Sequence, residues 1–359
     1  MVVNEAMCFG LPPLVFDQLG STRDLVQDGY NGYFSPANNV DALGERIKAM
    51  ANLSLQTFSG RLHFNKLIFR IYAIALKLAR AAKLTRPLRR LIGPVAGRFV
   101  FRISTNANRP MWVHGHRMLL AAPGSYPPVA MATGKYEEET TRLFERILKP
   151  GMAVLDVGAH VGYYSLLAAR HVGPTGKVYS FEPEADNYEL LLKNIELNGY
   201  TNIHAVNSAI SNLVGSRTLF LTSLDSGRHS TYRHGLQERG EVAVDTSTLD
   251  AFLESLGWPT VDLVKVDVEG AEMDVLAGME RLLGGANDLA LILEFNPCLL
   301  QNAGVDPLKF LDQPISRHFR VSIIDDRQGI RPLGELDAPD LIAELLRNES
   351  SVNLYCSRG

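Results

Sequence analysis

Acidic side chains are missing from a quarter of this chain: from Arg46 to Lys135 there is no aspartate or glutamate, while sixteen lysines and arginines fall in that interval. The net charge of -3 hides this split, because the acidic excess lies mostly after Tyr136. Such a segment excludes an evenly balanced surface and suits an anionic neighbour, either lipid or nucleic acid. Cysteine is scarce too. Cys8, Cys298 and Cys356 stand far apart without a CxxC pair. That excludes a disulfide framework and a zinc site, and it fits a reducing compartment. No run of eighteen uncharged apolar residues occurs, so no transmembrane helix is expected. The first thirteen residues contain Asn4 and Glu5 and no basic start, which is not a secretory pattern. The expected location is therefore cytoplasmic. With 359 residues, 46% of them hydrophobic and 21% charged, the chain can bury one large core or two modest ones.

Three regions follow from the patterning: 1–52, 53–110 and 111–359. In the first, Gly10 to Phe16 is an apolar run after a glycine and predicts a strand. Ser21 to Gly29 predicts a capped helical turn, and Val40 to Ala51 an amphipathic helix. The runs NEAMCFGLP, QLGSTRDLV and QDGYNGYFSP resemble the tail of the nucleotide-sugar lobe of family-4-type, two-lobed glycosyltransferases. There Glu5 matches the second glutamate of a donor-binding pair. The first glutamate and the acceptor lobe would lie before residue 1, which implies a truncated remnant. The second region is a basic helical linker. Phe64, Leu67, Ile68, Ile71, Ala75, Leu78 and Ala82 recur at spacings of three and four, with Lys66, Arg70, Lys77 and Arg80 opposite. Such a helix can lie on the inner face of a membrane, each basic group contributing roughly 1 kcal/mol near an anionic leaflet. The alternative is a surface helix with solvated cations. Peripheral membrane contact through 61–102 is the expectation. A nucleic-acid surface is not expected, because aromatic residues do not interleave with the cations.

The third region alternates strand and helix signals. AVLDVGAH (153–160), the helix after Gly162, KVYSFEP (177–183), the helix 184–199 and NIHAVNSAIS (202–211) give a βαβαβ order. That order predicts a doubly wound parallel sheet, with ligands at the carboxyl ends of its strands. Gly158 and Gly162 permit a tight turn and close backbone approach to a ligand. Glu182 ends the second strand, 26 residues after Asp156, where a carboxylate can accept both hydroxyls of a ribose. A dinucleotide fingerprint would need glycine at 158, 160 and 163. The chain offers Gly158, His160 and Tyr163, which favours S-adenosyl-L-methionine over a dinucleotide. The expected cofactor set is Asp156, Gly158, His160, Gly162, Tyr163, Glu182 and Ala209.

The runs GKYEEET, KPGMAVLDVGAHVGYYSLLAA, SFEP, LDAFL and VDLVKVDVEGAEMDVLAGM resemble the FkbM family of methyltransferases. The likeness is continuous over about 113–296. It implies a class I methyltransferase (Rossmann-like) α/β fold with a seven-stranded, mostly parallel sheet and helices on both faces. It also implies S-adenosyl-L-methionine as donor and hydroxyl acceptors on sugars or natural products. In that family the turn usually reads Gly-Ala-Asn-x-Gly, and here His160 replaces the Asn.

Asp262 to Val268 predicts the fourth core strand and Leu289 to Asn296 the fifth. Lys265, Asp267 and Glu269 alternate and so project to one side. Asp267, Glu269 and Glu294 can then gather at adjacent strand ends as a base and orienting set for the acceptor. The alternative is a structural network in which Glu272 caps a helix and Lys265 neutralises a neighbour. No further ligand spacing supports a divalent ion on these carboxylates, so no metal site is assigned. Leu219 to Gly235 is read as a loop over the cleft, with His229 and His234 as alternative bases. Tyr136 and Glu137 precede a helix and can close over the cofactor. VSIIDD and SVNLYCS predict two final strands, the last pair antiparallel. The expected function is O-methylation of a hydroxyl on a glycan or sugar-containing natural product. The competing reading is a membrane-associated binding or scaffold protein with a degenerate cofactor site, motivated by His160.

Overall fold

In a computed structural model of the chain, the described residues are 14–16, 33–35, 110–120, 130–131, 136–222, 226–235, 238–285, 288–326, 328–334 and 337–358. The chain divides into two units, Met1–Asn106 and Ala107–Gly359. In the first, strands β1 (Leu14–Phe16) and β2 (Tyr33–Ser35) pair in parallel, Leu14 opposite Tyr33. The strand expected at 10–16 is thus present in its last three residues. The helices expected at 21–29, 40–51 and 64–82, with the basic surface of 61–102, lie outside the described residues. No helix among the described residues is long and apolar enough to cross a membrane.

The second unit opens with a hairpin, β3 (Met111–Val113) and β4 (His116–Met118), followed by α1 (Glu138–Ile147). Then come β5 (Ala153–Val157), α2 (Tyr163–Val172), β6 (Lys177–Phe181), α3 (Ala185–Asn198) and β7 (Ile203–Val206). Next are β8 (Ala209–Ile210), β9 (Gly215–Thr222), β10 (Glu238–Ser247), α4 (Leu249–Ser255), β11 (Leu263–Val266), α5 (Glu272–Ala277) and α6 (Glu280–Gly285). The chain finishes with β12 (Ala290–Phe295), α7 (Pro297–Asn302), α8 (Pro307–Ser316), β13 (Arg320–Asp325), β14 (Gly329–Pro332), α9 (Ala338–Asn348) and β15 (Val352–Ser357).

The main sheet runs β14-β13-β15-β12-β11-β5-β6-β7. From β12 to β7 its strands are parallel, and β13, β14 and β15 are antiparallel to their neighbours. This is the expected α/β sheet with one strand more than the expected seven. The addition is β14, four residues at the edge. Apolar residues on both faces of β5 and β11 are what a sheet covered on both sides requires. Leu155, Val157, Val264, Val266, Leu291 and Leu293 join one core cluster. Val154, Leu263 and Ile292 join the other, as the two-residue period of a strand dictates. Phe144, Phe295 and Phe310, each 0% exposed, contribute roughly 1.5–3 kcal/mol apiece by leaving water.

Two further features differ from expectation. The third strand, expected to run through 202–211, breaks at Asn207 and Ser208. Asn207 Nδ2 donates to Glu182 O and Pro183 O at 2.8 and 3.1 Å, turning the chain off the main sheet. The separated β8 joins a second sheet of order β8-β10-β9. The loop expected at 219–235 is strand as far as Thr222, because β9 and β10 form a long antiparallel ribbon. The connection between them folds back, so that Phe220 and Ser230 exchange backbone hydrogen bonds at 2.8 and 3.2 Å.

Candidate active site

After β5 the chain turns through Gly158 (φ 83°), His160 (φ 51°) and Gly162 (φ 92°) into α2. The N–H groups of Gly158 and Ala159 donate to Phe181 O at 3.0 and 2.9 Å, fastening the turn to the end of β6. A Cβ at 158 would lie 1.8 Å from Asp267 O, and one at 162 would lie 2.6 Å from Leu191 Cδ1. The close approach that demands glycine here is to β11's end and to α3. His160 occupies the left-handed region, which Asn, Asp and His tolerate better than other side chains. Its N–H donates to Glu182 Oε2 at 2.8 Å, and Glu184 N–H donates to Glu182 Oε1 at 3.0 Å. Burial outweighs these bonds and pushes the Glu182 carboxyl up to about 7.

Beside this turn lies a buried polar network. Lys265, 2% exposed, donates from Nζ to Asp267 Oδ2 at 2.9 Å and sits 4.5 Å from the centre of the Tyr164 ring. Burial opposes its charge, but Asp267, Glu137 and Asp156 outweigh that cost and raise its pKa. Tyr164 O–H and Asn353 Nδ2 both donate to Glu137 Oε2, at 2.7 and 3.1 Å. Asp156 Oδ2 accepts from Ser165 O–H at 2.6 Å.

Carboxylate oxygens of Asp267, Glu269 and Glu294 lie within 4.8 Å of one another, a spacing a divalent ion can bridge. Burial first, then the charges of Glu269, Asp267 and Glu272, push the Glu294 pKa well above the ordinary carboxyl range. Glu294 is thereby biased toward its protonated form. Lys265 sets a positive charge beside Asp267 in this cluster. Glu269 reaches the cluster through a left-handed backbone (φ 55°), past the end of β11. Its carbonyl accepts from Ser230 Oγ and His234 Nε2, each at 2.7 Å. Glu272 Oε1 braces the same loop, accepting from Val268 N–H and Gly270 N–H at 3.1 Å each.

The segment 226–235 covers the cleft. His160 Nε2 meets Ser226 Oγ at 2.8 Å, and Asn187 Nδ2 donates to Ser226 O at 3.0 Å. The resulting cleft encloses about 570 Å³, counting space open to solvent. Of the expected cofactor residues, Gly158, His160, Glu182 and Ala209 line it. Asp156, Gly162 and Tyr163 do not: Asp156 holds Ser165, Gly162 abuts Leu191, and Tyr163 Oη lies 3.0 Å from Thr141 Oγ1. Asp267 and Glu269 line the cleft, and Glu294 adjoins it through the carboxylate spacing. Of the alternative bases, His234 is engaged with the Glu269 carbonyl. Ser226, Asn187 and Asn207 are site residues that periodicity did not single out. Only Asn187 carried a sequence signal, three residues after its helix cap Glu184.

Residues 156–298 match the family model "Methyltransferase FkbM domain", and residues 1–57 match "Glycosyl transferases group 1". "Methyltransferase sdnD" of Sordaria araneosa is 28% identical over 157 residues, 36% of this chain and 60% of that protein. "Hexuronic acid methyltransferase AglP" of Haloferax volcanii is 28% identical over 171 residues, 48% of this chain and 64% of that protein. The chain thus spans about three-fifths of the length of these curated relatives.

Proposed function

With residues 156–298 a methyltransferase FkbM domain, we propose that the unit Ala107–Gly359 binds S-adenosylmethionine and methylates a hydroxyl oxygen on a glycan or other sugar-bearing molecule. One observation carries this reading. Glu182 and Asp267, at the carboxyl ends of β6 and β11, open onto a single cleft. The residues present fit such a cofactor. Glu182 is a buried carboxylate with lone pairs to spare for ribose hydroxyls. The N–H groups of Gly158, Ala159, His160 and Gly162 are already given to Phe181 O, Glu182 and Ala159 O. These four N–H groups are therefore not free to cradle the pyrophosphate of a dinucleotide. His160 keeps both the backbone conformation and the bond to Glu182, so its presence does not require a degenerate site.

When bound, S-adenosylmethionine supplies an electrophilic methyl group on a sulfonium. The chain's residues then align the acceptor, which can lower the barrier by roughly 7–11 kcal/mol. Asp267 takes the hydroxyl proton, and Lys265 fixes the orientation of its carboxylate. Glu269 and Glu294 orient neighbouring polar groups of the acceptor. A sugar acceptor is supported by the glycosyltransferase-type match and by the relative named for a hexuronic acid.

The same reading divides the chain into a glycosyltransferase-like fragment (1–52), a basic linker (53–110) and the transferase (111–359). Labelled S-adenosylmethionine incubated with the protein and cell-envelope glycans should leave label on a sugar oxygen. Label confined to protein or to small amines would overturn the acceptor assignment.

A further inference from the structure

The cleft holds one buried histidine that the transfer step does not use. His229, on the covering segment, is 9% exposed and lines the cleft together with Glu182, Ser208 and Ala209. Its Nδ1 lies 3.1 Å from Thr222 N. A backbone N–H only donates, so Nδ1 must accept and the ring proton sits on Nε2. Burial lowers the His229 pKa to about 4, which keeps that neutral tautomer at physiological pH. Among the described residues Nε2 is buried and meets no hydrogen-bond partner. A fixed, buried N–H donor without an acceptor, on a residue that lines the cleft, is costly and points to a ligand acceptor there.

Three neighbouring hydroxyls are engaged within the protein. Ser208 Oγ donates to Asp245 O at 3.0 Å, and Ser230 Oγ to Glu269 O at 2.7 Å. Ser226 Oγ is held by His160 Nε2. The two parts of adenosine differ in what they need. Ribose hydroxyls want an acceptor, which Glu182 provides. The ring nitrogens of adenine want a donor. We propose that His229 Nε2–H donates to an acceptor nitrogen of the adenine ring, making the covering segment a reader of the cofactor's base. The proposal rests on the cofactor reading above and adds a specificity residue to it. It also removes His229 from the candidate bases, since Nδ1 is occupied by Thr222 N–H and Nε2 carries the proton given to the ring.

The test is calorimetry with S-adenosylhomocysteine and its 1-deaza, 3-deaza and 7-deaza analogues, in which one ring nitrogen becomes CH. Against the unaltered protein, one analogue should bind roughly 5–100-fold more weakly, the range for an unpaired buried donor. His229→Leu should bind the parent compound more weakly by a similar factor and should no longer discriminate against that analogue. His229→Gln, which keeps an N–H donor, should recover part of the discrimination. Three analogues that all bind the unaltered protein as tightly as the parent would overturn the proposal. So would a penalty that persists undiminished in His229→Leu. Failure of the parent compound to bind the unaltered protein would instead remove the cofactor reading itself, and this proposal with it.

Discussion

Around Glu182 the site is made largely of backbone. Two N–H groups hold the carboxylate, two more tie the turn to β6, and positive-φ residues set the path. Around Asp267 it is made largely of side chains from separate strands: Lys265 from β11, Glu294 from β12, Asn353 from β15 and Tyr164 from α2. On the proposed reading, the first construction holds the cofactor by geometry built mostly from backbone. The second can be altered one side chain at a time, and there acceptor choice and proton transfer can vary on one scaffold.

The contrast predicts that the two ends fail differently. Asp267→Asn should lower turnover by about 10²–10⁴-fold, the usual value of a positioned base. Its cofactor affinity by calorimetry should stay within a few-fold of the unaltered protein. A comparable loss of affinity would erase the distinction between the ends. Lys265→Met leaves Asp267, Glu137 and Asp156 without their shared cation. Breaking a buried pair costs about 3–5 kcal/mol, and the lower figure applies because the Asp267 side chain is 21% exposed. Urea melts should show that loss, and an unchanged midpoint would mean the network carries no structural weight.

The third prediction concerns pH at the backbone-built end. With its pKa raised to about 7 by burial, Glu182 is protonated as pH falls below that value. A protonated carboxyl has fewer acceptor sites, so affinity for S-adenosylhomocysteine should drop below pH 7, by up to about tenfold per unit. The sign for folding is the opposite. The ordinary carboxyl value is 4.5, so this group's contribution to the cofactor-free protein is full below it and is lost as pH rises to about 7. Affinity that is flat from pH 8 to 5.5 would show that Glu182 does not receive the hydroxyls. The smallest effect expected is that of a chelator. Because Lys265 already sets a positive charge beside Asp267, excess EDTA should leave turnover unchanged. A metal-restorable loss would assign the three carboxylates to an ion.

These differences also decide what the sequence could reveal. The β5 turn, Glu182 and the βαβαβ order were legible because backbone geometry leaves local marks: Gly158, the apolar run before it, and an acid at a strand end. The break at Asn207 was not, since it depends on an amide reaching the carbonyls of Glu182 and Pro183, 25 and 24 residues away. Only the end of β9, 219–222, falls in the stretch expected to be a loop, and β10 is mostly exposed, with Val244 and Thr246 its buried positions. That leaves little apolar alternation to detect. At the acceptor end, Lys265 and Asp267 share a face by the period of two, which the sequence showed. Glu269 joins them only through a left-handed turn that no periodicity encodes.

The most direct measurement is the affinity of Glu182→Ala for S-adenosylhomocysteine, taken beside a melt showing that the variant is folded. An adenosine sugar bound to this carboxylate predicts a loss of two or more orders of magnitude in a protein that still melts cooperatively. A folded variant that binds as tightly as the original would place the cofactor elsewhere.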